Sequence, residues 1–113
     1  MWTFRLGVQE QFVEKLMSLF SELWPIHTAR LGDNYRSFIE SSVDRALSYG
    51  VKTESSVSRF VNLCFTWGPD FEMRPEHEWA LKILKDPNLR GALKINELAL
   101  HTKLKLAQRS SPA

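Results

Sequence analysis

The side chains able to do chemistry in this 113-residue chain are few and scattered: one cysteine, three histidines and 13 carboxylates. Cys64 falls between Val61 and Phe65 on an apolar stripe. A thiol in such surroundings has a raised pKa, reacts slowly and serves as a small apolar filler. His27, His77 and His101 are far apart in the sequence. His77 lies in "EHEWA", which lacks a second histidine four residues on, so the zinc-protease helix is excluded. Asp70, Glu72 and His77 are near enough to meet at one metal ion, but their spacing matches no ligand rule. The five glycines are isolated and form no phosphate-cradling loop. No G-x-S-x-G elbow occurs, and nothing pairs a nucleophile with a base. The expectation is a non-enzymatic chain with no catalytic, cofactor or metal site.

The densest constellation is instead "FTWGPDF", residues 65 to 71, with three aromatics around a Gly-Pro and an acid. Gly68 permits a positive φ at a helix end and Pro69 blocks continuation of the helix. Asp70 is suited to accept a backbone N–H in the turn. Two readings stay open. The corner is a clasp that closes one helix on the next through Trp79, or it is a landing site for a partner, since large aromatics dominate both cores and interfaces. Phe60, Cys64 and Trp67 follow at four- and three-residue steps, so Trp67 sits where the apolar stripe runs off the helix end. The expected division of labour has Phe71 and Trp79 facing the core, Trp67 partly exposed and Asp70 tying the turn. The candidate partner-binding residues are Trp67, Pro69, Asp70, Phe71 and Trp79.

The elements that must position this corner are helical. Val8, Phe12, Leu16, Leu19, Phe20 and Leu23 recur at helical spacing over about 8 to 24, and Pro25 stops that helix. Asp33 is the expected N-cap of a second helix. Its stripe is Tyr35, Phe38, Ile39, Val43, Ala46 and Leu47, and Gly50 ends it. Thr53 or Ser55 caps a third helix, with Val57, Phe60, Val61, Cys64 and Phe65 inward. Pro75 suits the first turn of a fourth, which carries Trp79, Ala80, Ile83 and Leu84 and closes at Asp86-Pro87. A fifth runs over about 89 to 107, with Leu93, Leu98 and Leu104 among its apolar positions. "HTKLKL" alternates like a strand, but a lone strand has no sheet to join. The fold class is therefore all-α, a compact irregular bundle of about five helices. Residues 1–107 are expected to form one domain and 108–113 a flexible tail. The expected core includes Phe12, Leu16, Phe20, Phe38, Val43, Phe60, Val61, Cys64, Ile83 and Leu84.

Composition narrows the function classes. An apolar content of 43% argues against disorder. A net charge of +2 is too small to imply nucleic acid by itself. The charge is uneven: 69–86 holds five acids and three bases, and 87–113 holds five bases and one acid. A single cysteine rules out an internal disulfide and fits a reducing compartment. "MWTFRLGV" passes at once into charged "QEQFVEK", unlike a signal peptide, and no apolar run approaches a membrane span. A cytoplasmic domain without a membrane partner is expected.

Three segments in order also carry a family likeness: "QEQFVEKLMSLFSELWP", "RALSYGVKTESSVSRFVNLCFTWGPDF" and "EHEWALKILKDP". With them the chain, from about Phe12 to Leu104, resembles small helical bacterial proteins encoded beside effectors of the type VI secretion system. Trp67 and the lysine-rich end depart from the usual pattern. The resemblance implies an accessory role as a co-adaptor that binds an effector adaptor or chaperone, and it brings no enzymatic site. Two other classes remain: an immunity-type protein that inhibits a neighbouring toxin, and, with less behind it, nucleic-acid binding through the basic last helix. The sequence leaves oligomeric state open.

Overall fold

A computed structural model of the chain describes residues 6 to 110, with side chains described from 10 to 108. Six α-helices follow one another: α1 (Leu6–Leu23), α2 (Pro25–Leu31), α3 (Tyr35–Ser48), α4 (Glu54–Trp67), α5 (Glu78–Leu84) and α6 (Gly91–Ser110). Short 3-10 turns at Gly32–Asn34, Phe71–Met73 and Pro75–His77 fill the joints. No strand occurs among the described residues. The chain is an all-α bundle, and the expected five helices are met with one short addition.

That addition is α2. Pro25 stops α1 as expected, but its fixed φ and missing N–H also suit the first position of a new helix. Trp24 breaks direction between the two, at φ −130° and ψ 59°. Two backbone bonds still bridge the break, Trp24 N–H to Phe20 O and Thr28 N–H to Trp24 O.

α3 and α4 form the central pair, with α1 on one side and α5 and α6 on the other. The joint between α3 and α4 follows local chemistry closely. Gly50 has φ 84°. It donates to Leu47 O while Val51 N–H donates to Ala46 O, the paired bonds of a Schellman ending. Thr53 then caps α4, its Oγ1 accepting from Ser56 N–H at 3.2 Å. Asp33 does not cap α3. The residue before that helix is Asn34, whose backbone is already helical and makes no side-chain cap bond, because the Gly32–Asn34 turn feeds straight into α3.

Phe12, Leu16, Phe20, Val43, Phe60, Val61, Cys64 and Leu84 are buried as expected, while Phe38 and Ile83 are partly buried against them. Four leucines assigned to apolar stripes face solvent instead. Leu19 and Leu23 lie on the outer side of α1, and Leu93 and Leu104 on the outer side of α6. In α6 the inward positions are Ile95 and Leu98, with Lys94 and Thr102 also buried. Val8 belongs to α1, but its side chain lies outside the described ones. "HTKLKL" is helical, and α6 continues to Ser110, beyond the boundary at 107. Of the expected tail, 111–113 lies outside the described residues.

α6 is seated by its first turn. A Cβ at Gly91 would stand 2.5 Å from Gly50 O and 3.0 Å from Val51 Cα, so only glycine allows this approach. One turn on, Lys94 Nζ donates to Tyr49 O at 2.8 Å. The buried lysine thus satisfies a carbonyl at the end of α3.

Candidate functional site

α4 ends at the quoted corner. Gly68, at φ 106°, donates to Cys64 O, and Pro69 prevents another turn. Asp70 is the one described non-glycine residue with positive φ, at 54°. Its carbonyl receives Met73 N–H. Its side chain makes no cap bond in the turn, contrary to expectation. The carboxylate reaches across to α3 instead, where Oδ1 meets Arg45 Nη1 at 3.1 Å.

Arg45 gathers the inner side of the corner. Its Nε donates to Glu72 Oε2 at 2.9 Å. Its Nη2 donates to Cys64 Sγ at 3.3 Å, and its guanidinium stands 5.7 Å from the centre of the Phe60 ring. The Glu72 side chain is wholly buried, and Tyr49 Oη also donates to it, at 2.8 Å. A buried carboxylate is tolerable only when its lone pairs are used, and here three donor contacts serve it with the Nη2 contact at 3.5 Å. Burial pushes the Cys64 thiol up to about 12, and the nearby guanidinium works in the opposite direction. Burial also raises the Tyr49 phenol, reinforced by its hydrogen bond to Glu72. Both groups are neutral at physiological pH, and the thiol is no nucleophile.

Phe71 stands between the two sides of the corner and is completely buried, packed on Phe60 and His77. His77 Nδ1 lies 2.9 Å from Phe71 O. A carbonyl only accepts, so this nitrogen carries the proton. The possible ligands Asp70, Glu72 and His77 are therefore not brought to one point. Two engage Arg45 and the third a backbone carbonyl. Among the described residues no group of three histidine, cysteine or acidic side chains is placed to hold a metal ion.

The outer side is an open groove of about 580 Å3, bounded by Trp67, Arg74, Glu76, His77, Trp79 and Lys105. Trp67 and Trp79 meet edge to face with centroids 6.2 Å apart, and His77 lies 4.9 Å from Trp67. Both indoles are half-buried. Trp67 Nε1 donates to Thr102 Oγ1 on α6 at 3.0 Å. Trp79 Nε1 is buried without a hydrogen-bond partner among the described residues. Lys105 Nζ lies 5.1 Å from the Trp79 ring centre. Arg74 packs on Gly68 and donates from Nη2 to Pro69 O at 3.2 Å.

Of the sequence-derived candidates, Trp67 and Trp79 line this groove, Pro69 and Asp70 are exposed but lie outside its lining, and Phe71 has no surface to offer. Sequence reasoning did not reach Arg45, Arg74 or Lys105. Arg45 and Glu72 are 27 positions apart, and no local pattern links them. A second hollow of about 190 Å3 lies behind the corner, between Phe38, Phe65 and Pro69 with His27 and Arg30 at its rim. No helix of the described residues is long and apolar enough to cross a membrane. Compared with known protein families, curated proteins and solved structures, the chain matches none.

Proposed function

We propose that this chain is a non-enzymatic accessory protein that holds another protein, in the co-adaptor role implied by its resemblance to type VI secretion accessory proteins. The observation that carries the reading is the groove beside the corner. Two tryptophans are anchored by α6 and by each other, yet each keeps a face toward an open cleft. Half-buried aromatics on a rigid base bind with little entropic cost, and tryptophan leads the residues that dominate interface energy. The groups with catalytic potential support the same reading. Cys64 is neutral and enclosed, Glu72 is bound by Arg45 and Tyr49, and His77 holds a carbonyl. In this reading the partner is an effector adaptor or chaperone met in the bacterial cytoplasm.

The test is co-expression with a type VI secretion effector adaptor, followed by calorimetric titration of the purified pair. Trp67→Ala should weaken binding by about 2 kcal/mol or more while the free protein still unfolds cooperatively. An unchanged affinity with a collapsed melting temperature would leave the corner a structural clasp. Rescue of cells from a neighbouring toxin, without adaptor binding, would move the assignment to the immunity class.

A further inference from the structure

We infer that the groove accepts an acidic side chain of its partner, carried next to an apolar one, an inference that rests on the docking reading above. The argument begins with how the corner distributes its charges. Asp70 and Glu72 lie on either side of Phe71, and both are taken by Arg45, on the inner side. Arg74, two residues past Glu72, is left with no carboxylate partner among the described residues. It is nevertheless held in place, by its bond to Pro69 O and by its packing on Gly68. Lys105 also lacks an ion pair among the described residues and is held over the Trp79 ring. Two cations kept in position without counterions, above an aromatic floor, are complementary to an anion with an apolar neighbour.

Glu76 decides what kind of anion. It is the one carboxylate in the lining, and it has no ion-pair partner among the described residues. With Arg74 and Lys105 it brings the arginine, lysine and carboxylate charges of the lining to +1. A polyanion such as a nucleic acid would be repelled at Glu76, whereas one carboxylate can settle between the two cations. The volume of about 580 Å3 suits a few side chains of a peptide segment. The occupant is therefore a stretch of protein with an aspartate or glutamate beside an apolar residue.

The experiment is selection of a phage-displayed random dodecapeptide library on the immobilised full chain, with the enriched peptides synthesised and titrated. Peptides carrying an acid next to an apolar residue are expected. Their affinity should fall tenfold or more on Arg74→Gln or Lys105→Gln, fall less on Arg74→Lys, rise on Glu76→Gln, and weaken as sodium chloride is raised. Thermal unfolding of each variant checks that the fold is kept. Peptides that depend on Trp67 but ignore both cation substitutions, or that carry no acid, would overturn the inference and leave the docking reading standing. Enrichment of no peptide that depends on Trp67 would sink both. A single-stranded oligonucleotide that displaces the peptides from the groove would overturn the choice of occupant.

Discussion

On the inner side of the corner every strong polar group has a partner: Glu72 receives Arg45 and Tyr49, and Asp70 receives the other arm of the same guanidinium. On the outer side, Arg74 and Lys105 have no carboxylate partner among the described residues. The two sides share a backbone turn and are separated by one buried ring, Phe71. An interior cannot leave charge unpaired without a cost of several kcal/mol, so the wholly buried Glu72 must be paired, while Asp70, 64% exposed, adds a solvent-screened contact to the same guanidinium. The outer side borders solvent and can leave its donors waiting. One corner thus takes part in fixing the fold on one face and in presenting chemistry on the other.

Removing the divider tests the comparison most severely. Phe71→Ala should cost about 3 to 5 kcal/mol, read in urea unfolding, and should damage both sides together. Glu72→Gln comes next. It leaves the Arg45 charge without its buried counterion, and a loss of about 3 kcal/mol is expected by the same measurement. If that loss is absent, the inner cluster is no more closed than the outer.

Alkali should separate the two sides more gently. Cys64 titrates near an ordinary value of 9.0 when unfolded and at about 12 when folded. An acid whose folded pKa is raised is bound by its proton more tightly in the native state. Its contribution is therefore full below about pH 9 and is lost as pH rises from 9 toward 12. The raised Tyr49 phenol acts in the same direction. Chemical denaturation repeated across that range should show falling stability, and Cys64→Ser should flatten the fall.

The smallest effect belongs to the outer side. Trp79→Phe deletes an N–H that has no acceptor, so no hydrogen bond is lost. Melting should stay within about 1 kcal/mol of the parent in free-energy terms, or improve, in contrast to Glu72→Gln. A large destabilisation would mean that this indole is as fully engaged as the inner groups.

What was legible in the sequence was mostly local. Gly50 ending α3, Thr53 capping α4, and Gly68-Pro69 ending it each depend on one or two neighbouring residues, and the structure shows each in that role. Pro25 was half-read, because a proline that stops one helix also suits the start of the next. Leu93 and Leu104 were placed inward because α6 carries leucine on several faces, and only packing against α4 and α5 decides which face is covered. The aromatic corner was visible as a cluster. Its sidedness was not, since that depends on Arg45 reaching Asp70 and Glu72 from another helix.

The seat of α6 on Gly50 gives the groove a distant adjustment point. Gly91 abuts that turn, while Lys105 stands 14 residues on, about 21 Å along a straight helix. The helix is held along its length by buried Ile95 and Leu98 and by Thr102 on Trp67, so a shift forced at its first turn is passed through close-packed contacts toward the groove. A methyl group at position 91 would collide with backbone rather than with a yielding side chain. Gly91→Ala should therefore shift Lys105 relative to Trp79 and loosen the cleft without touching any residue in it. Calorimetric titration of that variant would record how closely the jaws of the groove are aligned from its far end.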